Sequence, residues 1–401
     1  MTMPMAMTMA AFDFDQADAR RLDSNQDDEP RYAARHAFMA TEDDAANWQR
    51  LQPNCLEAYH YHLAFDLGQV AGFKTGYISI LKDGEVVCIA PFFITDYALD
   101  TTVQGAMKSF TRSINKWLPA LMTLRLLCVG SPVTDSAQIA YDKNILLDSE
   151  IIRQLSLMLE TVAEAEGANV IAFKDILERD ATLLRPLLEA HGYSCVDNMP
   201  VARNSINFKD LDAYFASISA STRKDLRRKL KKFDQIRIEE HDGMPPHLAQ
   251  IYQLYLNCYE KSELKFEKLT LAFFESLATT MPKQCRFVLY YFDEKLIGFN
   301  CLLIGNGVML DKYIGMDYIH STEVNLYALA WLHKIKMCIR DGYHTMQSGQ
   351  AAYDVKLSFG AKLEQTYILF KHRNRFINPL LKLASRVLAY GNFDPALSKS
   401  K

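Results

Sequence analysis

No two of the eight cysteines stand close enough to form a C-x-x-C pair, so the sequence lacks a local zinc or dithiol motif. They sit instead in apolar stretches such as VVCIAPFF and RLLCVG. Scattered thiols of that kind belong to a reducing compartment, not to a disulfide framework, and a cytoplasmic location is expected. Long apolar runs are missing too. The nearest, LPALMTLRLLCVG, is broken by Arg125, so no transmembrane span is expected. The opening MTMPMAMTMAAFDFD has neither the basic start nor the apolar core of a secretory signal. A strong excess of one charge is absent as well: the net charge is −3 over 401 residues. That argues against a wholesale polyanion binder such as a DNA-coating protein, while leaving room for a local basic patch. No Ser-His-Asp order or nucleophilic cysteine stands out. His60 and His62 in YHYHL lack a third ligand, so no metal is expected.

What the chain does have is apolar content: 49 % of its residues are hydrophobic, enough for real cores and, at this length, for two domains. Residues 1–30 carry seven acidic residues against Arg20 and Arg21 and read as a disordered acidic tail. Beyond it one design appears twice. GYISILKDGEVVCIAPFFIT (76–95) and RFVLYYFDEKLIGFNCLLI (286–304) each read as two β-rich runs about a short polar turn. Each is followed by a third apolar run, at 124–130 and 308–315. Helical spacing then appears at Ile151, Ile152, Leu155, Leu159, Val162 and Ala163, and again at Val324, Tyr327, Ala328, Trp331, Ile335 and Ile339. A strand (169–173, 343–347), a short helix ending at Gly192 or Gly360, and a last β-rich run (203–208, 365–370) complete each half. The first half carries about 25 extra residues near Thr101–Pro119.

The order β-β-β-α-β-α-β, met twice, resembles the acyltransferase fold of the GNAT superfamily. Two such units in one chain resemble the FemAB-like group, which is similar to peptidoglycan-bridge aminoacyl transferases, and its BioF2-like acetyltransferase relatives. Three segments carry the likeness: ISASTRKDLRRKLKKFDQIRIEE at 218–240, ALAWLHKIKMCIRDGYHTMQSG at 328–349 and AAYDVKLSFGAKLEQ at 351–365. The expected fold class is thus α/β (α+β), with two tandem GNAT-like domains on mixed, mainly antiparallel sheets. The boundaries read as a tail at 1–30, an N-terminal domain at 31–210, a basic linking helix and strand at 211–240, and a C-terminal, acyl-donor domain at 241–395.

Candidate chemistry follows from that frame. From Arg223 to Lys232 there are seven Lys/Arg and one Asp. Arg223, Lys224 and Arg227, with a capping Ser219, Ser221 or Thr222, read as a phosphate cradle at a helix N-terminus; a solvated helix face is the alternative. GMDYIHSTEVNLYAL lacks the Arg/Gln-x-x-Gly-x-Gly/Ala signature that the resemblance associates with a carrier pyrophosphate. Ser321 and Thr322 read as the helix cap, with Glu323 in the first turn; Asn325 and Tyr327 read as facing a cleft, with a core or cap position as the alternative. Asp311, Lys312 and Tyr313 interrupt an apolar strand, and alternation puts Asp311 and Tyr313 on one face. Gln347 and Ser348 stand at a strand end, where open sheets bind ligands. The resemblance places Lys356 near the reacting acyl group, where a fixed cation would stabilise the oxyanion and leaving group; a surface lysine is the alternative. The catalytic candidates are therefore Lys356, Tyr313 and Asp311. The binding candidates are Arg223, Lys224, Arg227, Asn325, Tyr327 and Gln347. The proton acceptor stays open among Asp311, Glu323, Asp354 and a water held by Tyr313. No permanently bound cofactor is expected. The expected activity moves an acyl group from acyl-CoA to a small-molecule amine by direct transfer. Aminoacyl-tRNA is the alternative donor, for a cell-wall precursor or small molecule, and a non-catalytic protein that binds a phosphorylated ligand is the third reading.

Overall fold

A computed structural model describes residues 30–38, 42–98, 123–137, 139–142, 149–262, 265–374 and 376–379. Residues 1–29 of the acidic tail and the extra segment expected near 101–119 lie outside the described residues.

The repeat begins earlier than the strand pattern indicates. A helix pair precedes each first hairpin: α1 (Glu42–Leu51) and α2 (Tyr59–Leu67) in the first half, α7 (Leu248–Lys261) and α8 (Leu271–Thr280) in the second. After edge strand β1 (Tyr32–Ala37) and α1–α2 come β2 (Lys74–Lys82), β3 (Glu85–Ala98), β4 (Thr123–Val129) and the two-residue β5 (Ala140–Tyr141). Then follow α3 (Ser149–Ala165), β6 (Val170–Leu177), α4 (Glu178–Ala190) and β7 (Ser194–Ser205). The link is α5 (Leu211–Ser217), α6 (Ala220–Leu230) and β8 (Arg237–Asp242). The second half runs α7, α8, β9 (Cys285–Phe292), β10 (Lys295–Gly305), β11 (Val308–Met316), α9 (Tyr318–Glu323) and α10 (Leu326–Asp341). It closes with β12 (Thr345–Gln347), α11 (Tyr353–Ser358) and β13 (Lys362–His372).

Local chemistry explains the hairpins. Asp83-Gly84 and Asn306-Gly307 both take positive φ at two successive residues, the turn whose twist matches paired strands. Asp293-Glu294 makes the same excursion without a glycine, at a cost of about 1–2 kcal/mol per residue. In α3 the apolar stripe Ile151, Ile152, Leu155, Leu159, Val162 and Ala163 is fully buried. Each large member contributes about 1.5–3 kcal/mol.

All strands join one sheet in the order β1-β2-β3-β4-β6-β13-β7-β12-β11-β10-β9-β8, with β5 beside β3. The two halves interlock at its centre. β7, which ends the first half, pairs with β12 of the second. β13, which ends the second, pairs with β6 of the first and with β7. Each half is therefore closed by the other's last strand. Helices α3 and α4 cover one face of the first half, and α5, α6 and α10 one face of the second. On the opposite face α2 meets α8, with Tyr61 and Phe65 edge-on to Phe273, in a core that spans both halves. Gly315 lets α7 pack closely on β11: a Cβ there would lie 2.6 Å from the backbone carbon of Leu254 in α7.

Candidate functional site

In each half two parallel strands part at their carboxyl ends, where open sheets bind ligands. In the first, β4 and β6 stay paired from Leu126/Val170 to Val129/Phe173. In the second, β11 and β12 pair only from Val308/Thr345 to Leu310/Gln347. Both partings carry buried charge, and Asp135, from the loop after β4, connects them.

The second parting holds four of the nine residues expected to act, Asp311, Lys356, Gln347 and Tyr327. Asp311 is the first residue of β11 beyond the paired stretch. Its carboxylate accepts from Asn300 Nδ2 at 2.9 Å and pairs with Lys334 of α10. Lys356, from α11, is 6 % exposed, and its ammonium donates to the Ser348 carbonyl. Burial lowers the Lys356 pKa to about 8, with Asp311 and Asp135 resisting the fall. Gln347 is buried; its Oε1 accepts from Arg203 Nε at 3.1 Å and its Nε2 donates to Asp135 Oδ2 at 3.2 Å. Tyr327 is half-buried at the start of α10. Burial, then Asp311, pushes its hydroxyl up.

Two local expectations are corrected. Asp311 and Tyr313 do not share a face. The register between β10 and β11 shifts at Cys301/Leu302, leaving Lys312 as an extra residue, and a bulge of this kind re-aims side chains. Asp311 turns toward α10, while Lys312 and Tyr313 both turn toward α2. Tyr313 Oη lies 2.8 Å from Tyr61 Oη, and Tyr61 Oη donates to the Val133 carbonyl at 3.0 Å. Nor do Ser321, Thr322 and Glu323 open the long helix. They end the separate α9, capped by Asp317, and Asn325 then takes a left-handed φ of 56° as the residue before α10.

Helix α6 forms as its sequence predicts, with Ser219 Oγ accepting from Thr222 N at 3.2 Å. Its first cations turn to their own scaffold. Arg223 donates to the Phe215 carbonyl at 3.1 Å, and Arg227 pairs with Asp212 at 3.3 Å and lies over the Phe215 ring. Lys224 is exposed. Just past the end of α6, Lys232 Nζ donates to the Glu323 carbonyl of α9 at 2.6 Å.

Glu57, Asp135 and Glu267 join the site with no counterpart in the sequence reading. Lys312 and Glu57, each 3 % exposed at the side chain, pair at 2.5 Å. Lys312 also donates to the Val133 carbonyl at 2.9 Å and lies 3.6 Å from Asp135. Burial pushes the Glu57 carboxyl up against the pull of Lys312. For Asp135 burial acts the same way, but Lys312, Gln347, Lys174 and Lys356 outweigh it and hold the carboxyl below its usual range. Glu267, ahead of α8, is raised to about 7 by burial, with Lys174 and Lys312 opposing. Beside this ionic layer lies a cavity of about 940 Å³. Leu51, Leu56, Leu183 and Leu310 give it apolar walls, and Glu57, Arg203 and Gln347 meet it at the ionic layer. Among the described residues no group of three or more His, Cys, Asp or Glu is placed to hold a metal ion. His62 packs instead against Trp48 and Tyr77. No helix among them is long and apolar enough to cross a membrane.

Two α/β units of this order, on one mixed sheet with parted strands in each half, define a tandem GNAT fold. FemX is similar over 86 % of this chain and 99 % of its own, at 12 % identity and a TM-score of 0.55. L-PGS from Bacillus licheniformis is similar over 88 % and 98 %, at 12 % identity and a TM-score of 0.52. A tandem GNAT protein from the clavulanic acid biosynthesis pathway is similar over 84 % and 98 %, at 11 % identity and a TM-score of 0.51. No curated protein matches the chain. Residues 41–381 match the FemAB-like family, described as peptidoglycan biosynthesis/recognition. The chain belongs to that family, whose fold is that of acyl-type transferases.

Proposed function

We propose that the protein is an N-acyltransferase that moves an acyl group from an activated carrier directly to an amine, with the second parting as its reaction centre. One observation carries this reading: the Lys356 ammonium is buried at the parted ends of β11 and β12, held by the Ser348 carbonyl and within electrostatic reach of Asp311 and Asp135. Aminolysis of an ester or thioester builds negative charge on the carbonyl oxygen and on the leaving atom, and a fixed, desolvated cation stabilises both. With a pKa of about 8, Lys356 is mostly protonated at neutral pH and still acidic enough to donate. Lys334, paired with Asp311, keeps that carboxylate from neutralising Lys356 outright.

Acyl-CoA is the carrier this reading prefers. α6 is an 11-residue helix, not the long coiled-coil arm that the tRNA-dependent bridge enzymes carry by resemblance. Its exposed Lys224 and the Lys231 that follows the helix suit scattered phosphates. Aminoacyl-tRNA is the second carrier, favoured by the tuned Lys356: a thiolate leaves with little help, whereas a ribose oxygen needs a proton donor. Melting-temperature shifts with acetyl-CoA, longer acyl-CoAs and aminoacyl-tRNA separate the carriers. Lys356→Ala is expected to lower transfer about 10²–10³-fold with the donor-induced shift retained. Unchanged turnover in that variant would overturn the assignment.

A further inference from the structure

Direct transfer needs a group that takes the proton of the attacking amine, and the cavity indicates where the amine stands. Its walls reach the ionic layer at Glu57, Arg203 and Gln347. Gln347 is also the residue before Ser348, whose carbonyl holds the Lys356 ammonium. A molecule seated in the cavity therefore meets the acyl centre across a single residue of β12. Arg203 and Gln347 are already engaged there: Arg203 with Glu364 at 2.7 Å, and Gln347 with Arg203 and Asp135. Glu57 is the carboxylate of this inner wall.

We propose that Glu57 is the general base of the transfer, accepting a proton from an ammonium acceptor that enters through the cavity. The inference rests on the acyltransferase reading above. The acceptor ammonium gives one proton to the Glu57 carboxylate. The neutral amine forms the C–N bond at the acyl carbon, the carrier's C–S or C–O bond breaks, and the departing sulfur or oxygen takes the second nitrogen proton, relayed through Lys356. Glu57 then returns its proton to solvent. The groups facing Glu57 fit this cycle. Lys312 from β11 holds its Oε1 at 2.5 Å, and Asp135, Lys174, Tyr61, Cys55 and His62 lie about it. Burial, opposed by Lys312, raises the carboxyl above its usual range. Asp135, held low by its cations, stays an ionised anchor for Lys312 and Gln347.

The test compares methylamine, charged at neutral pH, with hydroxylamine, which is uncharged there and needs no base before it attacks. Wild type, Glu57→Gln and Glu57→Asp are assayed with acetyl-CoA and with alanyl-tRNA as donors. For Glu57→Gln we expect transfer to methylamine to fall about 10²–10⁴-fold, transfer to hydroxylamine to fall far less, and Glu57→Asp to recover part of the methylamine rate. The hydroxylamine rate shows that the variant is folded. Equal losses with both amines, or no loss with either, would overturn the role of Glu57. A wild type that transfers to neither amine from either donor would overturn the acyltransferase reading itself, and this inference with it.

Discussion

The two halves part their parallel strands in the same way and fill the gap differently. In the first, the residue beyond the paired stretch of β6 is Lys174. Its ammonium donates to the Ser131 and Thr134 carbonyls at 3.0 and 2.9 Å and pairs with Asp175. Asp175 is fixed in turn by Asn198 at 2.6 Å and Gln350 at 2.8 Å. The half's own backbone carbonyls and carboxylate thus saturate this lysine. In the second half the gap is left to Lys356, which comes from a different element and has one carbonyl partner. The burial that both lysines suffer has opposite outcomes: for Lys174 it is outweighed by Asp175, leaving the pKa raised, whereas for Lys356 it wins and the pKa falls to about 8. One cleft is plugged by a lysine with several partners, and the other holds a buried lysine with one carbonyl partner.

Removing the plug should have the largest effect. Lys174→Met leaves Asp175, 2 % exposed at its side chain, without its cation, and breaking a buried pair in this way costs about 3–5 kcal/mol. Urea unfolding reads that loss directly. A variant as stable as wild type would show that the first gap is not held by this lysine.

The smaller effect is a difference in pH dependence. The Lys356 pKa is lower in the folded protein than in the unfolded chain, so between about 8 and 10.5 the unfolded state binds more protons and stability rises with pH. Lys174 is shifted the other way. The stability it contributes is complete below the unfolded value and is lost only as pH rises through its folded value, above this window. Unfolding at pH 8 and pH 10 should show that rise as a component present in wild type and absent in Lys356→Met. If the variant keeps the full wild-type rise, Lys356 is not the desolvated group.

The sequence discloses the elements better than their partners. Alternation, turn residues and helical spacing located both hairpins and the long helices α3 and α10, because each signal lies within its own segment. The exchange of β7 and β13 has no such signature: nothing along either strand names the neighbour it will join. The first part of β7 is hidden by Asp197, Asn198 and Pro200; Asn198 binds Asp175 within the first half, and the Pro200 carbonyl accepts from Tyr353 of the second at 2.8 Å. Asp311 and Lys312 stood out as charges in an apolar strand, and Lys174-Asp175 in VIAFKDIL carries the same signal. Lys334 interrupts the buried stripe of α10 and could have been found in the same way. Glu57 and Asp135 could not. They lie in loops 255 and 177 positions from Lys312, and only the packing of one half on the other brings them to it. The bulge at Lys312 was illegible for a related reason, since strict alternation has no term for an extra residue.

Hydrogen exchange of the full chain with and without acyl donor most directly tests whether the second gap is the working one. With acetyl-CoA or aminoacyl-tRNA present, slowed exchange is expected at residues 323–328 and 347–358, around the parting of β11 and β12. Residues 174–181, beyond the parting of β4 and β6, should be unchanged. Protection at 174–181 without protection at 347–358 would contradict the assignment of the reaction centre to the second half.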